Sequence, residues 1–280
     1  MHSTRRHFVA SLASVAVLAA VPRRVRAADE LRVAFVPEVA TTPASIAAKQ
    51  PFIDYFAKIT GRSVKLIIPT NYAATVEALG NGSIDLAHFG GLTYVKAAAR
   101  YGARPIAQRI EDQRFHSLFI TNSGDIRTLG DLKGKTFAFG DVNSTAGHLM
   151  PVKELLDAHI DPDRDLISRF TGNHTTTALA VNAGQVAAGA LDESVYHKLV
   201  YDKTIDSQKA RVFYTSHAFV DYTWAVRSDI DSALAASIQH GFLALKDPAV
   251  LEVLRATRYV AVDDREYDTL RTVAKSVGLL

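Results

Sequence analysis

The chain has 280 residues, with 32 Lys and Arg, 29 Asp and Glu, and no Cys. A hydrophobic fraction of 48% and a charged fraction of 22% suit one large or two ordinary globular domains and exclude a disordered or low-complexity chain. Without cysteine there is no disulfide framework, no thiolate metal site and no cysteine nucleophile.

Residues 1–27 read as an export signal. Ser3-Thr4-Arg5-Arg6-His7-Phe8 opens an apolar run that ends near Val21, and Val25-Arg26-Ala27 offers a cleavage site. The run is too short to span a bilayer but suits a signal core. Paired arginines ahead of a hydrophobic residue resemble the twin-arginine class, with a general secretory signal as the alternative. Cleavage after Ala27 removes five arginines and no acid, leaving 27 basic residues against 29 acidic ones, a net charge of −2. The positive charge of the whole chain thus belongs to the signal, and a nucleic-acid function falls with it. A periplasmic location is expected.

Strand and helix signals then alternate. Leu31–Val36 has a strand pattern. Phe52, Tyr55, Phe56 and Ile59 have helical spacing between Pro51 and Gly61. Val64–Ile68 is a β-branched strand, and Asn71 caps a helix that stops at Gly80-Asn81-Gly82. Ile84–Phe89 and Leu92–Tyr101 form the next strand and helix. Further on, strands are expected at Thr136–Phe139, Ile167–Phe170 and Val186–Leu191. Helices are expected at Thr145–Ala158, His174–Ala183 and Ser194–Val200, and over Asp231–Leu245, Pro248–Leu254 and Glu266–Val277. This rhythm implies α/β architecture with mostly parallel sheets. Asn71–Tyr94 also aligns without a gap on Asn173–Tyr196, which suggests two lobes of related build. Ligands of such folds sit beyond the carboxyl ends of the strands.

The segment Phe139-Gly140-Asp141-Val142-Asn143-Ser144-Thr145-Ala146-Gly147-His148 places a polar turn between a strand and a helix. The first amides of a helix have no internal acceptor, and with the helix dipole they favour an anion. Ser144 and Thr145 add hydroxyls, Ala146 an amide, and Gly147 lets a ligand approach the backbone. Plain N-capping by Ser144 or Thr145 is the alternative.

Asp131–Phe139, Ser144–Pro151, Asn71–Ala74, Gly90–Tyr94, Asn173–Val186 and Asp221–Arg227 together resemble the PhnD-like solute-binding proteins. These serve ABC importers for phosphonate, phosphite and related oxyanions. The resemblance implies a two-lobed type II periplasmic binding protein fold. Each lobe would be a mixed, mostly parallel sheet flanked by helices, with the ligand in the cleft between lobes. Residues 28–116 and 223–280 would form lobe 1, residues 117–222 lobe 2, with crossings near His116–Thr121 and Thr223–Arg227. The anion turn would be Ser144, Thr145, Ala146 and Gly147, where Ala146 departs from the family's Ser-Thr-Ser-Gly. By the same resemblance Tyr72 and Tyr94 supply phenol donors, His174 a donor from lobe 2, and Asp192 and Asp221 face the same space. His116 resembles a subgroup assigned to inorganic oxyanions such as selenate.

A carboxylate beside an oxyanion is favourable only if the ligand keeps a proton or carries a cationic tail. A compact tetrahedral oxyanion, protonated on oxygen, is therefore the expected ligand, with arsenate a further candidate. No P-loop, nucleophile elbow or His-Glu-x-x-His pattern is present. No cofactor, metal or enzymatic activity is expected. The expected partner of a monomeric chain is an ABC permease, or alternatively a membrane sensor kinase or chemoreceptor.

Overall fold

The computed structural model describes residues 30–39 and 42–280; the export signal expected at residues 1–27 lies outside the described residues. In chain order the elements are β1 (Glu30–Phe35), α1 (Pro43–Ala47), α2 (Gln50–Thr60), β2 (Ser63–Ile67), α3 (Tyr72–Gly80), β3 (Leu86–Phe89), α4 (Gly91–Tyr101), β4 (Arg104–Arg109) and β5 (Ser117–Thr121). They continue with β6 (Thr136–Phe139), α5 (Met150–Asp157), β7 (Ile167–Phe170), α6 (His174–Asn182), β8 (Ala188–Asp192), α7 (Glu193–Tyr201) and β9 (Arg211–Thr215). The last are β10 (Thr223–Val226), α8 (Ser232–Leu243), α9 (Pro248–Val253), β11 (Tyr259–Val260) and α10 (Asp268–Ser276).

Two mixed sheets result, one per lobe of an α/β fold. The first has the order β11-β4-β10-β3-β1-β2 and the second β7-β6-β8-β5-β9. Strands β1, β2 and β3 run parallel, as do β6, β7 and β8, while β10 and β5 are antiparallel to their neighbours. The first sheet is covered on one face by α2 and α8, through Phe52, Phe56, Ile238 and Phe242 around the fully buried Trp224. Burying each such side chain stabilises the fold by roughly 1.5–3 kcal/mol. Its other face packs Val76, Leu79, Leu92, Val95 and Leu270 from α3, α4 and α10. That same cluster includes Ala146, Leu149 and Met150 of the second lobe, so the lobes are packed together in a closed arrangement.

The chain passes between the sheets at residues 110–116 and 216–222. The two passages pair with each other: Phe115 N donates to Phe219 O at 2.8 Å, and Phe219 N donates to Phe115 O at 2.9 Å. The sequence reading set the crossings slightly too late. Ser117–Thr121 already belongs to the second sheet and Thr223–Val226 to the first, because their backbones pair along their whole length with β8 and β3.

The internal repeat is structural. Asn71 and Asn173 cap α3 and α6, their side chains accepting from Ala74 N at 2.8 Å and Thr176 N at 2.9 Å. Both helices end two residues before a glycine in the left-handed region, Gly82 at φ 75° and Gly184 at φ 72°, where a Cβ would be strained. One copy feeds β3 in the first sheet, the other β8 in the second.

Candidate functional site

Beyond β6 the chain folds into a short, fully tied turn. Asp141 accepts from Asn143 N at 2.7 Å and from Ser144 N at 2.9 Å, through its side chain and backbone respectively. Ser144 Oγ accepts from Gly147 N at 3.0 Å, so Ser144 is the N-cap. A single α-helix was expected from Thr145. Instead Thr145–Leu149 is a wider π-helical turn, in which Leu149 N reaches back to Ser144 O at 3.0 Å, and α5 starts only afterwards. Pro151 has no N–H to continue an α-helical ladder there, and such turns commonly mark functional sites. The amides of Thr145 and Ala146 precede the first bond of the turn and have no acceptor within it. Gly147 is required by its neighbours. A Cβ would lie 2.9 Å from Ser144 Oγ, 3.0 Å from His174 Cε1 and 3.2 Å from Gly140 Cα.

The repeat now explains a contact across the lobes. Tyr72 and His174, related by the internal alignment, open α3 and α6. Tyr72 Oη lies 3.5 Å from His174 Nε2, and Tyr222 Oη lies 3.4 Å from the same nitrogen. His174 is fully buried, and its Nδ1 accepts from Asp192 N at 3.3 Å. The ring proton is thereby assigned to Nε2, which becomes a donor toward the two phenols. Burial lowers the His174 pKa and keeps the ring neutral, and it raises both phenols well above the ordinary range, so they too stay protonated.

Two carboxylates complete the wall. Asp192 is the N-cap of α7, with Oδ1 accepting from Val195 N at 2.8 Å and from Ser194 Oγ at 2.7 Å. Asp221 Oδ1 accepts from Gly91 N, at the start of α4, at 2.8 Å. Each therefore caps a helix with one oxygen. The second oxygen of each, Asp192 Oδ2 and Asp221 Oδ2, is buried with no partner among the described residues. Burial drives the Asp221 carboxyl well above the usual carboxylate range, although the Gly91 amide and the Thr145 hydroxyl oppose the shift.

The structure gathers Ser144, Thr145, Ala146, Gly147, Tyr72, His174, Asp192 and Asp221 where the two lobes meet, but it reassigns the hydroxyl of Thr145. That oxygen accepts from Leu92 N of lobe 1 at 3.0 Å and lies beside Asp221, so it works between the lobes. Two expected residues stand elsewhere. Tyr94 donates its phenol to Asp264, which Arg271 also holds, and packs its ring 4.7 Å from Tyr267. It lies three residues into α4, on the face turned to α10, so its hydroxyl cannot join Tyr72. His116 sits at the end of a crossing, 3.2 Å from Glu193 Oε2, and its backbone N donates to Glu193 Oε1 at 3.0 Å. Glu193 is the partner of its ring, and no contact joins it to the other site residues among those described.

Three residues of the site escaped the sequence reading. Tyr222 follows Asp221, and its ring stacks on His88 at 5.0 Å and 6°. Glu38 and His88 stand at or just past the ends of β1 and β3, where strand order alone could have drawn attention to them. Burial pushes His88 down to about 3, so it is neutral. Arg109 and Arg255, the guanidinium groups nearby, are committed to Asp112 and Glu38. The site thus presents backbone, imidazole and phenol donors beside unpaired carboxylate oxygens. Among the described residues no group of three or more His, Asp or Glu is placed to hold a metal ion, and no helix is long and apolar enough to cross a membrane.

Comparison with known proteins identifies the family and the fold. The chain is 28% identical over 234 residues to the probable ABC transporter phosphite binding protein PhnD1 of Prochlorococcus marinus, covering 77% of this chain and 79% of that one. It is 26% identical over 262 residues to the phosphate-import protein PhnD of Mycolicibacterium smegmatis, covering 83% and 81%. The solved structure of Prochlorococcus marinus PhnD1 in complex with methylphosphonate superposes with a TM-score of 0.84 at 25% identity, over 90% of this chain and 99% of that one. A binding protein component of an ABC phosphonate transporter from Pseudomonas aeruginosa shares the fold, with a TM-score of 0.80 at 20% identity, over 87% and 85%. Residues 35–267 match the family described as ABC transporter, phosphonate, periplasmic substrate-binding protein, and the chain belongs to that family of PhnD-like binding proteins.

Proposed function

We propose that this chain captures a small tetrahedral oxyanion of the phosphonate, phosphite or phosphate class, carrying a proton on oxygen, and delivers it to an ABC permease from the periplasm. The observation that supports this most is the pairing of opposite demands in one buried space. The amides of Thr145 and Ala146 need acceptors, and so do the phenol O–H groups of Tyr72 and Tyr222, whose oxygens face His174 Nε2–H. Asp192 Oδ2 lacks a donor, and Asp221 Oδ2 lacks one whenever that carboxyl is ionised. An oxyanion bearing P–OH satisfies both sets. A fully deprotonated one such as sulfate or selenate leaves a carboxylate unpaired, which costs about 1–3 kcal/mol per group. Selection is by binding alone, with no covalent step. His116, paired with Glu193, adds nothing in favour of selenate.

The test is thermal unfolding of the purified protein with phosphate, phosphite, methylphosphonate, aminoethylphosphonate, arsenate, arsenite, sulfate and selenate. A ligand at 100 times its Kd adds about 2.7 kcal/mol of stability. Protonated phosphorus oxyanions are expected to raise the melting temperature, with sulfate and selenate ineffective. Equal shifts with sulfate and phosphite would contradict the reading.

A further inference from the structure

The two lobes are tied beside the ligand-reading groups by a residue in an unusual backbone conformation. Arg255 follows α9 with φ 51°, in the left-handed region that a helix end commonly gives to glycine. Two other non-glycine described residues share that region, His159 and Lys203, and both are exposed. The Arg255 side chain is 17% exposed and turned inward. Its Nη2 donates to Glu38 Oε1, and its Nε donates to Ser194 Oγ of the other lobe at 3.2 Å.

Glu38 touches a group of the site directly, and Arg255 reaches one through Ser194. With its oxygen accepting from Arg255, the Ser194 hydroxyl sends its proton to Asp192 Oδ1 at 2.7 Å. Since Val195 N also occupies Oδ1, Asp192 Oδ2 is the oxygen left buried without a partner among the described residues. Glu38 accepts the backbone N–H of His174 at its carbonyl oxygen, at 3.0 Å, and so seats the first residue of α6. Its own Oε2 is buried without a partner among the described residues. Burial works against ionisation of Glu38, but Arg255, with Arg109 behind it, holds it well below the usual range. Arg109 Nη1 also donates to Arg255 O at 3.4 Å, while its guanidinium grips Asp112 at the start of the crossing.

We propose that the Glu38–Arg255 pair is a positioning element that latches the closed lobes and, through Ser194 and the His174 amide, fixes the orientation of Asp192 and His174 toward the ligand. The inference rests on the oxyanion-binding reading above. Opening the cleft breaks the Arg255–Ser194 and Glu38–His174 bonds together, so the latch acts on how long the ligand is held.

The experiment measures methylphosphonate association and release by stopped flow, and compaction by small-angle scattering, in wild type, Ser194→Ala, Arg255→Lys and Arg255→Met. Ser194→Ala and Arg255→Lys are expected to release the ligand roughly tenfold faster, the factor for one charge-assisted bond. Association should stay within about twofold, because interface changes act mainly on release. Ligand-free melting should move by less than about 4 °C. Arg255→Met strands the buried Glu38 carboxylate and is expected to lose folded-state stability as well. Wild-type release rates in both Ser194→Ala and Arg255→Lys, with wild type compacting on methylphosphonate, would overturn the latch alone. A wild-type protein that neither binds methylphosphonate nor compacts would overturn the latch together with the reading beneath it.

Discussion

Replacing Asp221 with Asn separates what the carboxylate does for the ligand from what it costs the fold. Asp221 is 1% exposed, has one oxygen on Gly91 N at 2.8 Å and leaves the other unpaired. Its folded pKa is raised by burial. A carboxyl shifted in that sense favours the fold fully below the unfolded value near 4, and this contribution is lost as pH rises through the folded value. At pH 8 the unpaired oxygen therefore opposes folding. Asp221→Asn keeps an acceptor for Gly91 and removes the charge, which should stabilise the ligand-free protein by about 1–2 kcal/mol. For a chain of this size that is a rise of roughly 2–8 °C in melting temperature. The gain should shrink toward pH 4. Binding should change the other way. Methylphosphonate affinity should fall roughly 10- to 100-fold as the acceptor for its P–OH is lost, while sulfate is no longer disfavoured. Thermal unfolding at pH 4, 6 and 8, with calorimetric titration of both anions, measures all of this. A variant less stable than wild type at every pH, with its anion preference unchanged, would refute the reasoning.

Gly147→Ala puts a methyl against the Gly140 backbone and the His174 ring, at 3.2 and 3.0 Å, and should weaken oxyanion binding at least tenfold with a stability loss of about 1–3 kcal/mol in calorimetry. Tyr94→Phe and His116→Ala should leave oxyanion affinity within about twofold, because those side chains serve Asp264 and Glu193; a loss beyond tenfold on titration would return them to the site. His88 is buried neutral, with a pKa pushed down to about 3. Its contribution is present above the unfolded value near 6.5 and is lost as pH falls from there toward 3. The unfolding free energy should therefore decline below pH 6.5, and His88→Phe should flatten that decline; a profile unchanged by the substitution would contradict it.

Elements that carry a local signal were legible in the sequence. Asn71 and Asn173 announce both cleft-facing helices, and their pairing at one offset implied that Tyr72 and His174 occupy equivalent places. The strands that escaped notice lack such a signal. Arg104–Arg109 carries Pro105 and two arginines, which argues against a strand. It is accommodated because the ladder with β10 shifts register between Trp224 and Ala225, opposite that proline. Tyr94 was misjudged because the first turn and a half of α4 is buried on all sides, so no pattern says which face meets the cleft. Glu38 and Arg255 could not be joined by any spacing rule. They are 217 residues apart and meet only once α9 ends in its left-handed turn. The double use of Asp192 and Asp221, one oxygen for a helix and one turned aside, likewise depends on packing that the sequence does not display.

The most direct test of the account is a crystal structure of the protein with methylphosphonate. The phosphonate oxygens are expected within about 3.2 Å of the Thr145 and Ala146 amides and of His174 Nε2, with the P–OH directed to Asp192 or Asp221. A phosphonate bound outside the space between the lobes, or held there with those amides turned away, would contradict it.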